Sequence, residues 1–283
     1  MASRIPPLLD TYLRLPPEAS LVLLSGVLGS TTNWLVLRYL YSFLSNPVAK
    51  EDGIDSPRID GPGVVLVSFL RDYTFWKDGA GKLGIDLDGL SRKGKFVFVD
   101  GLTGLFHPSH DNAPKPLPGN IPGRRVLSGA TLPHLRKELE DAVAQVQHST
   151  SEQKPVLIAD QLDLLLAASG DDISCRGLQE TLLDIREKVH STIVTLSADE
   201  PLMSSQTTWL EKEHASFAVS LAHDAHIVIS LRMLDTGTAR DVSGVLRVTP
   251  GGGHIGIDKV VEERELLYFV AGDGGVRVFE RGQ

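Results

Sequence analysis

A chain of 283 residues with 42% apolar and 23% charged side chains carries enough hydrophobic material for a sizeable core, which excludes wholesale disorder. Its formal net charge of −8 gives a surface field that repels phosphate backbones on average, so a nucleic-acid contact would need a local basic cluster. The single cysteine, Cys175, excludes an intrachain disulfide and points to a reducing, intracellular compartment, and no Cys/His set has zinc spacing.

The first ten residues lack the basic-then-apolar order of a secretory signal, and residues 35–44 are interrupted by Arg38 and too short to span a bilayer, so neither export nor a membrane partner is expected. Leu21-Val22-Leu23-Leu24, ending on Ser25-Gly26, reads as a strand buried on both faces. After the loop 26–32, residues 33–43 carry Trp34, Leu35, Leu37, Tyr39, Leu40, Tyr41 and Phe43, apolar on nearly every face of a helix, which is therefore buried or meets a partner. Residues 46–63, with three prolines and three glycines, predict an exposed connector.

The pattern then repeats as a strand over 64–67, a helix near 71–83 and a strand over 96–100, a βαβ signal. Five prolines and two glycines mark 107–124 as a long surface loop. Thr131 is placed to cap a helix with Leu132, Leu135, Leu139, Val143 and Val146 on one face, and Val156-Leu157-Ile158-Ala159-Asp160 follows as a strand ending in an acid. Ser174 heads a second helix with Leu178, Leu182, Ile185 and Val189 in one stripe, leading to a strand over 192–196. A helix over 208–221 leads to a strand over 227–231. Beyond it only strands are expected, over 245–248, 266–270 and 276–279, the last two joined across Gly272-Asp273-Gly274-Gly275. These elements predict one α/β domain over 1–283. Its central sheet is mainly parallel and flanked by helices, with antiparallel strands at the C-terminal side.

A phosphate loop needs Gly-x4-Gly-Lys-Ser/Thr between strand and helix, because backbone amides wrap the phosphates, the lysine meets their oxygens and the hydroxyl ligates magnesium. Residues 26–33 are in the right place but carry a degenerate version. Counting from Gly26, the second glycine position holds Thr31, the lysine position Thr32 and the hydroxyl position Asn33, and no lysine precedes Lys50. Two readings stand. One is a tight turn capped by Thr31 or Thr32. The other is a residual nucleotide site formed by Gly26, Gly29, Ser30, Thr31, Thr32 and Asn33, with Asp160 as a Walker-B acid and Asp163 one helical step beyond. A strand-ending aspartate is more commonly a turn former than a magnesium organiser. The strand over 64–67, expected beside the first, leads into Ser68-Phe69-Leu70 with no carboxylate to activate water. No catalytic residue and no metal site are therefore assigned.

The densest basic clusters, Arg92-Lys93-Gly94-Lys95 and Arg124-Arg125, are candidate RNA contacts, set against the plainer reading of solvated charge beside turns. His107, His110 and Asp111, and likewise His223, Asp224 and His226, lie close in sequence without a recognised ligand geometry. Cys175 at a helix start reads as an inert thiol.

These segments resemble the Elongator accessory subunits, RecA-like proteins without working Walker motifs. The likeness runs through the loop 26–33, Ser68-Phe69-Leu70-Arg71-Asp72 with Phe75-Trp76, and Phe98-Val99-Asp100-Gly101-Leu102. It continues through residues 157–166, Leu221-Ala222-His223-Asp224-Ala225, residues 230–239 and Asp241-Val242-Ser243-Gly244, and so covers most of the chain. The resemblance implies a RecA-like P-loop NTPase fold and a non-catalytic subunit in a hexameric ring with two sister RecA-like subunits, joined to catalytic Elongator subunits in cytoplasm and nucleus. Such a ring binds tRNA and supports modification of its wobble uridine. It also implies that no cofactor is bound by this chain alone, with ATP at ring interfaces, where Arg71 or Arg232 would be offered in trans. Two other readings remain: a stand-alone RecA-like ATPase acting on nucleic acid, its loop rescued by Asn33 or a distant lysine, and a tRNA-binding module using Arg124-Arg125.

Overall fold

The structure, a computed structural model, describes residues 4–45, 61–106, 122–150, 153–204, 206–234, 237, 239–253 and 261–281. A 3-10 turn (Pro7–Leu9) and α1 (Asp10–Leu13) precede β1 (Leu21–Gly26), all of whose residues are buried. Then come α2 (Asn33–Ser45), β2 (Val64–Ser68), α3 (Tyr73–Lys82), α4 (Leu87–Arg92), β3 (Phe96–Asp100), α5 (Thr103–Phe106) and β4 (Arg124–Val126). They are followed by α6 (Leu132–Ser149), β5 (Val156–Asp160), α7 (Leu164–Ala168), α8 (Cys175–Arg186) and β6 (Ser191–Ser197). The described chain closes with α9 (Glu200–Ser204), α10 (Trp209–Asp224), β7 (Ile227–Arg232), β8 (Gly244–Pro250), β9 (Arg264–Val270) and β10 (Val276–Phe279).

The ten strands of the described residues form one sheet in the order β10-β9-β8-β7-β1-β6-β5-β2-β3-β4. From β7 to β4 every pairing is parallel, and from β7 to β10 every pairing is antiparallel. Strand side chains alternate between faces, and the core divides accordingly. Val22 and Leu24 join α2 and α3 in one apolar layer, while Leu21 and Leu23 join α6, α8 and α10 in the other. Burial on both faces explains why the parallel strands read as unbroken apolar runs.

The helix over 33–45 is covered by its own chain. Trp34, Leu35, Val36, Tyr39, Leu40 and Phe43 are all buried in it, and the interrupting Arg38 is buried too, donating from Nη2 to the Gly274 carbonyl at 2.8 Å. Asp72 caps α3 by accepting the Phe75 N–H, Ser174 caps α8 by accepting from Gly177, and α10 carries a full capping box of Thr208 and Glu211.

Four expectations need correction. The strand β2 does not lie beside β1, whose neighbours are β6 and β7. Thr131 stands at the N-cap of α6, but its side chain makes no cap hydrogen bond. The loop expected over 107–124 ends in an edge strand, since Arg124 and Arg125 pair with Phe98 and Val99; its residues 107–121 lie outside the described residues. The connector expected over 46–63 falls outside them up to residue 60, and at its end Gly63 is buried, with its carbonyl accepting from Val156 N–H at 2.8 Å.

Candidate functional site

After β1 the chain passes through α2 on one face of the sheet, and after β6 it passes through α10 on the other. The carboxyl ends of β1 and β6 are therefore the topological switch point, the place where open α/β sheets form their ligand crevice. Here backbone hydrogen bonds stitch that crevice together. Ala198 N–H donates to the Gly26 carbonyl at 2.8 Å, Val27 N–H to Leu231 at 3.3 Å and Ser30 N–H back to Val27 at 2.8 Å. Leu28 N–H donates to Asp199 Oδ1 at 2.6 Å.

The turn explains its two glycines. Gly29 has φ +89°, and a Cβ on Gly26 would lie 2.7 Å from the Ser30 carbonyl oxygen. Thr31 Oγ1 accepts the Asn33 N–H at 3.2 Å, so one donor at the start of α2 is already spent. Thr32, at the lysine position, is only 2% exposed. Asp199 places a carboxylate where the loop amides would otherwise meet phosphate. At an effective dielectric near 20, two unit charges about 4 Å apart repel by about 4 kcal/mol. The loop residues Gly26, Gly29, Ser30, Thr31, Thr32 and Asn33 are thus brought together as a tight turn, and they do not fit a nucleotide with its magnesium ion.

Asp160 closes β5 two strands from β1 and is fully buried. Its Oδ2 accepts from Ser68 Oγ at 2.8 Å and its Oδ1 from Thr195 Oγ1 at 2.9 Å. Burial pushes its pKa up, against the pull of those two hydroxyls and the Arg71 charge. Thr195 Oγ1 also accepts the Gln161 N–H at 2.9 Å, which pins Gln161 at φ +55°, and Ser197 Oγ donates to Gln161 Oε1 at 2.9 Å. Asp160 therefore serves as a buried acceptor joining β2, β5 and β6. Among the described residues no group of three His, Cys, Asp or Glu side chains could hold a metal ion.

The second acid, Asp163, is buried beside His214. Its Oδ2 accepts Ser197 N–H at 3.2 Å and lies 3.8 Å from His214 Nδ1, while the other ring nitrogen, Nε2, donates to the Ser197 carbonyl at 2.8 Å. Burial pushes the Asp163 pKa up to about 6, opposed by the His214 charge and the Ser197 N–H. Between about pH 4 and 6 the folded state holds a proton on Asp163 that the unfolded state has released. This contribution to stability is complete below about pH 4 and is lost as the pH rises through about 6. The variant Asp163→Asn keeps an oxygen for Ser197. It is expected to flatten the pH dependence over that window and to gain on the order of 2 kcal/mol at pH 7. Urea unfolding from pH 4 to 8 measures this, and superimposable wild-type and variant profiles would refute it.

The candidate arginines are spread over the sheet. Arg232 follows Leu231 at the end of β7, beside the loop, with Nη2 3.7 Å from Glu265. Arg71 lies beyond β2, its N–H donating to Ser68 Oγ and its guanidinium over the Phe75 ring at 4.9 Å. Arg92 and Lys93 are exposed, and Lys95 half-buried, at the amino end of β3, the opposite edge of the sheet from the loop. Arg124 sits 3.6 Å over the Tyr73 ring and pairs with Asp88, whose carboxyl Lys77 and Tyr73 hold down at about 2. Arg125 is clamped by Glu138 and Asp141. Both guanidiniums of that pair are thus matched by acids of the same fold.

Sequence reading missed Asp199, Thr195, Ser197 and His214. Asp199 lies two residues past the end of β6, whereas Asp160 is the last residue of β5, so the search for strand-ending acids passes over it.

The described fold is shared by a KaiC-like protein from Pyrococcus horikoshii, at a TM-score of 0.55 and 16% identity over 99% of this chain and 98% of that one. The chain thus has a RecA-like α/β fold, the α/β architecture that the strand and helix pattern predicted and the RecA-like fold that the resemblance implied. It is 27% identical to the Elongator complex protein 6 homolog of Schizosaccharomyces pombe, over 97% of each chain. It is 25% identical to Elongator complex protein 6 of Xenopus laevis, over 78% of this chain and 81% of that one. The rat protein of that name is 24% identical over 65% and 67%. The family described as Elongation complex protein 6 matches residues 60–269, most of the length, and the chain belongs to it.

Proposed function

We propose that this chain is a non-catalytic RecA-like subunit of a heterohexameric ring, in which Elongator complex proteins 4 and 5 are its sisters, and that the ring supports tRNA binding and wobble-uridine modification by catalytic Elongator subunits. Cytoplasm and nucleus are its proposed sites of work. The observation that carries the reading is the closed switch point, where Asp199 occupies the Leu28 amide and Thr32 is buried at the lysine position. A loop so arranged has lost both its phosphate-facing donor and its cation, which supports nucleotide, if used by the ring, being held by other subunits. For RNA, Arg92 and Lys93 are the proposed contacts, because both are exposed and Arg92 has only a long, exposed pair with Asp86 at 3.9 Å, while Arg124 and Arg125 are held by closer, less exposed acids.

The chain purified alone is expected to turn over no ATP above background, and after co-expression with its two sisters to purify with both in equal amounts. Intact-complex mass measurement reads the second outcome. Robust turnover by the isolated chain, abolished by Asp160→Ala, would refute the non-catalytic reading and favour the stand-alone ATPase.

A further inference from the structure

The closed loop leaves two features unused. Asp199 is half-exposed, makes no ion pair among the described residues, and uses only Oδ1 on Leu28 N–H. Leu28, at the tip of the same turn, is 87% exposed, far more than any other large apolar side chain described. The turn that displays them is held by the backbone bonds from Ala198, Val27 and Ser30, so both groups stand on a rigid platform and lose little freedom on docking.

We infer that Asp199 and Leu28 form a docking point for an arginine of a neighbouring RecA-like subunit, the carboxylate standing in for the phosphate that this crevice would hold in a nucleotide-binding relative. The inference rests on the ring reading above. Charge complementarity selects the occupant: an unpaired carboxylate on a chain of net charge −8 attracts a cation and repels an anion. A guanidinium suits the place better than an ammonium, because its fork of donors can reach Asp199 Oδ2 and an adjoining loop carbonyl together, while its flat face covers Leu28. Arginines supplied in trans meet phosphates at such crevices. Here the same reach meets a carboxylate, so the contact is permanent and independent of nucleotide.

The test uses the full chain co-expressed with its sister subunits, comparing wild type with Leu28→Lys, Asp199→Asn and Asp199→Arg. Asp199→Asn retains the oxygen that receives Leu28 N–H, and Leu28→Lys alters a side chain in solvent, so both are expected to melt within about 2 °C of wild type. Leu28→Lys, which sets a cation against the incoming guanidinium, and Asp199→Arg are each expected to weaken joining by about 100-fold, and Asp199→Asn by about 10-fold. A photo-crosslinker at position 28 should capture a sister subunit beside an arginine, and changing that arginine to glutamate should restore assembly of Asp199→Arg. Wild-type joining by Leu28→Lys would overturn the inference, as would crosslinking to a second copy of this chain alone. If the wild-type chain joined neither sister, the ring itself would fail, which is a separate result.

Discussion

The variant Asp160→Ala is expected to lose about 3 kcal/mol of stability and to melt roughly 6–9 °C lower than wild type, with no ATPase activity to lose. Removing the carboxylate strands two hydroxyl donors, Ser68 Oγ and Thr195 Oγ1, on residues fully buried from solvent. Each orphaned buried donor costs about 1–3 kcal/mol, and relief from burying an acid offsets part of that. Asp160→Asn keeps one acceptor oxygen and should lose about half as much. A magnesium-organising acid would behave the other way, with Asn preserving stability while erasing turnover. Thermal and urea unfolding of the two variants decide between the roles. Unchanged stability in Asp160→Ala would sink the structural one.

Restoring the missing lysine is expected to harm the protein rather than revive it. The Thr32 side chain points into the fold, and its Cγ2 would lie 3.5 Å from a Cβ added at Gly26. A lysine there must either bury its ammonium or pry the turn away from Ala198 and Asp199. We expect Thr32→Lys to lose about 3 kcal/mol or more, by the mechanism that makes any unpaired buried charge costly. It should gain no measurable affinity for magnesium ATP, since Asp199 still holds the Leu28 amide and Asn33 still lacks the hydroxyl. Unfolding in urea and titration calorimetry with ATP test the two halves. ATP binding at retained stability would show that the crevice is open after all.

The elements were legible because their signals were local. Fully apolar runs such as Val64-Val65-Leu66-Val67 announced strands buried on both faces, and Ser174 and Thr208 marked helix starts with side chains that do cap. Strand order was not legible, because periodicity says which faces are apolar and nothing about which strand lies beside which. The placement of β6 between β1 and β5 follows from crossovers on opposite faces, and it is what lets Thr195 bridge to Asp160. The degenerate loop was visible in its residue types at 26–33, but its closing partner, Asp199, lies 171 residues from Leu28. Spacing arguments do not reach that far. Arg124 and Arg125 looked like a basic patch only because Asp88, Glu138 and Asp141, which match them, are distant in sequence or on another element.

Among the described residues, the two borders of the sheet bear on resistance to edge-to-edge association. One border is β4, three residues long and beginning Arg124-Arg125; the other is β10, four residues long and carrying Arg277. Strands this short and this charged offer few free amides and carbonyls to an incoming chain, so copies cannot readily extend the sheet end to end. Association is therefore steered away from the borders and toward the loop and helix surfaces.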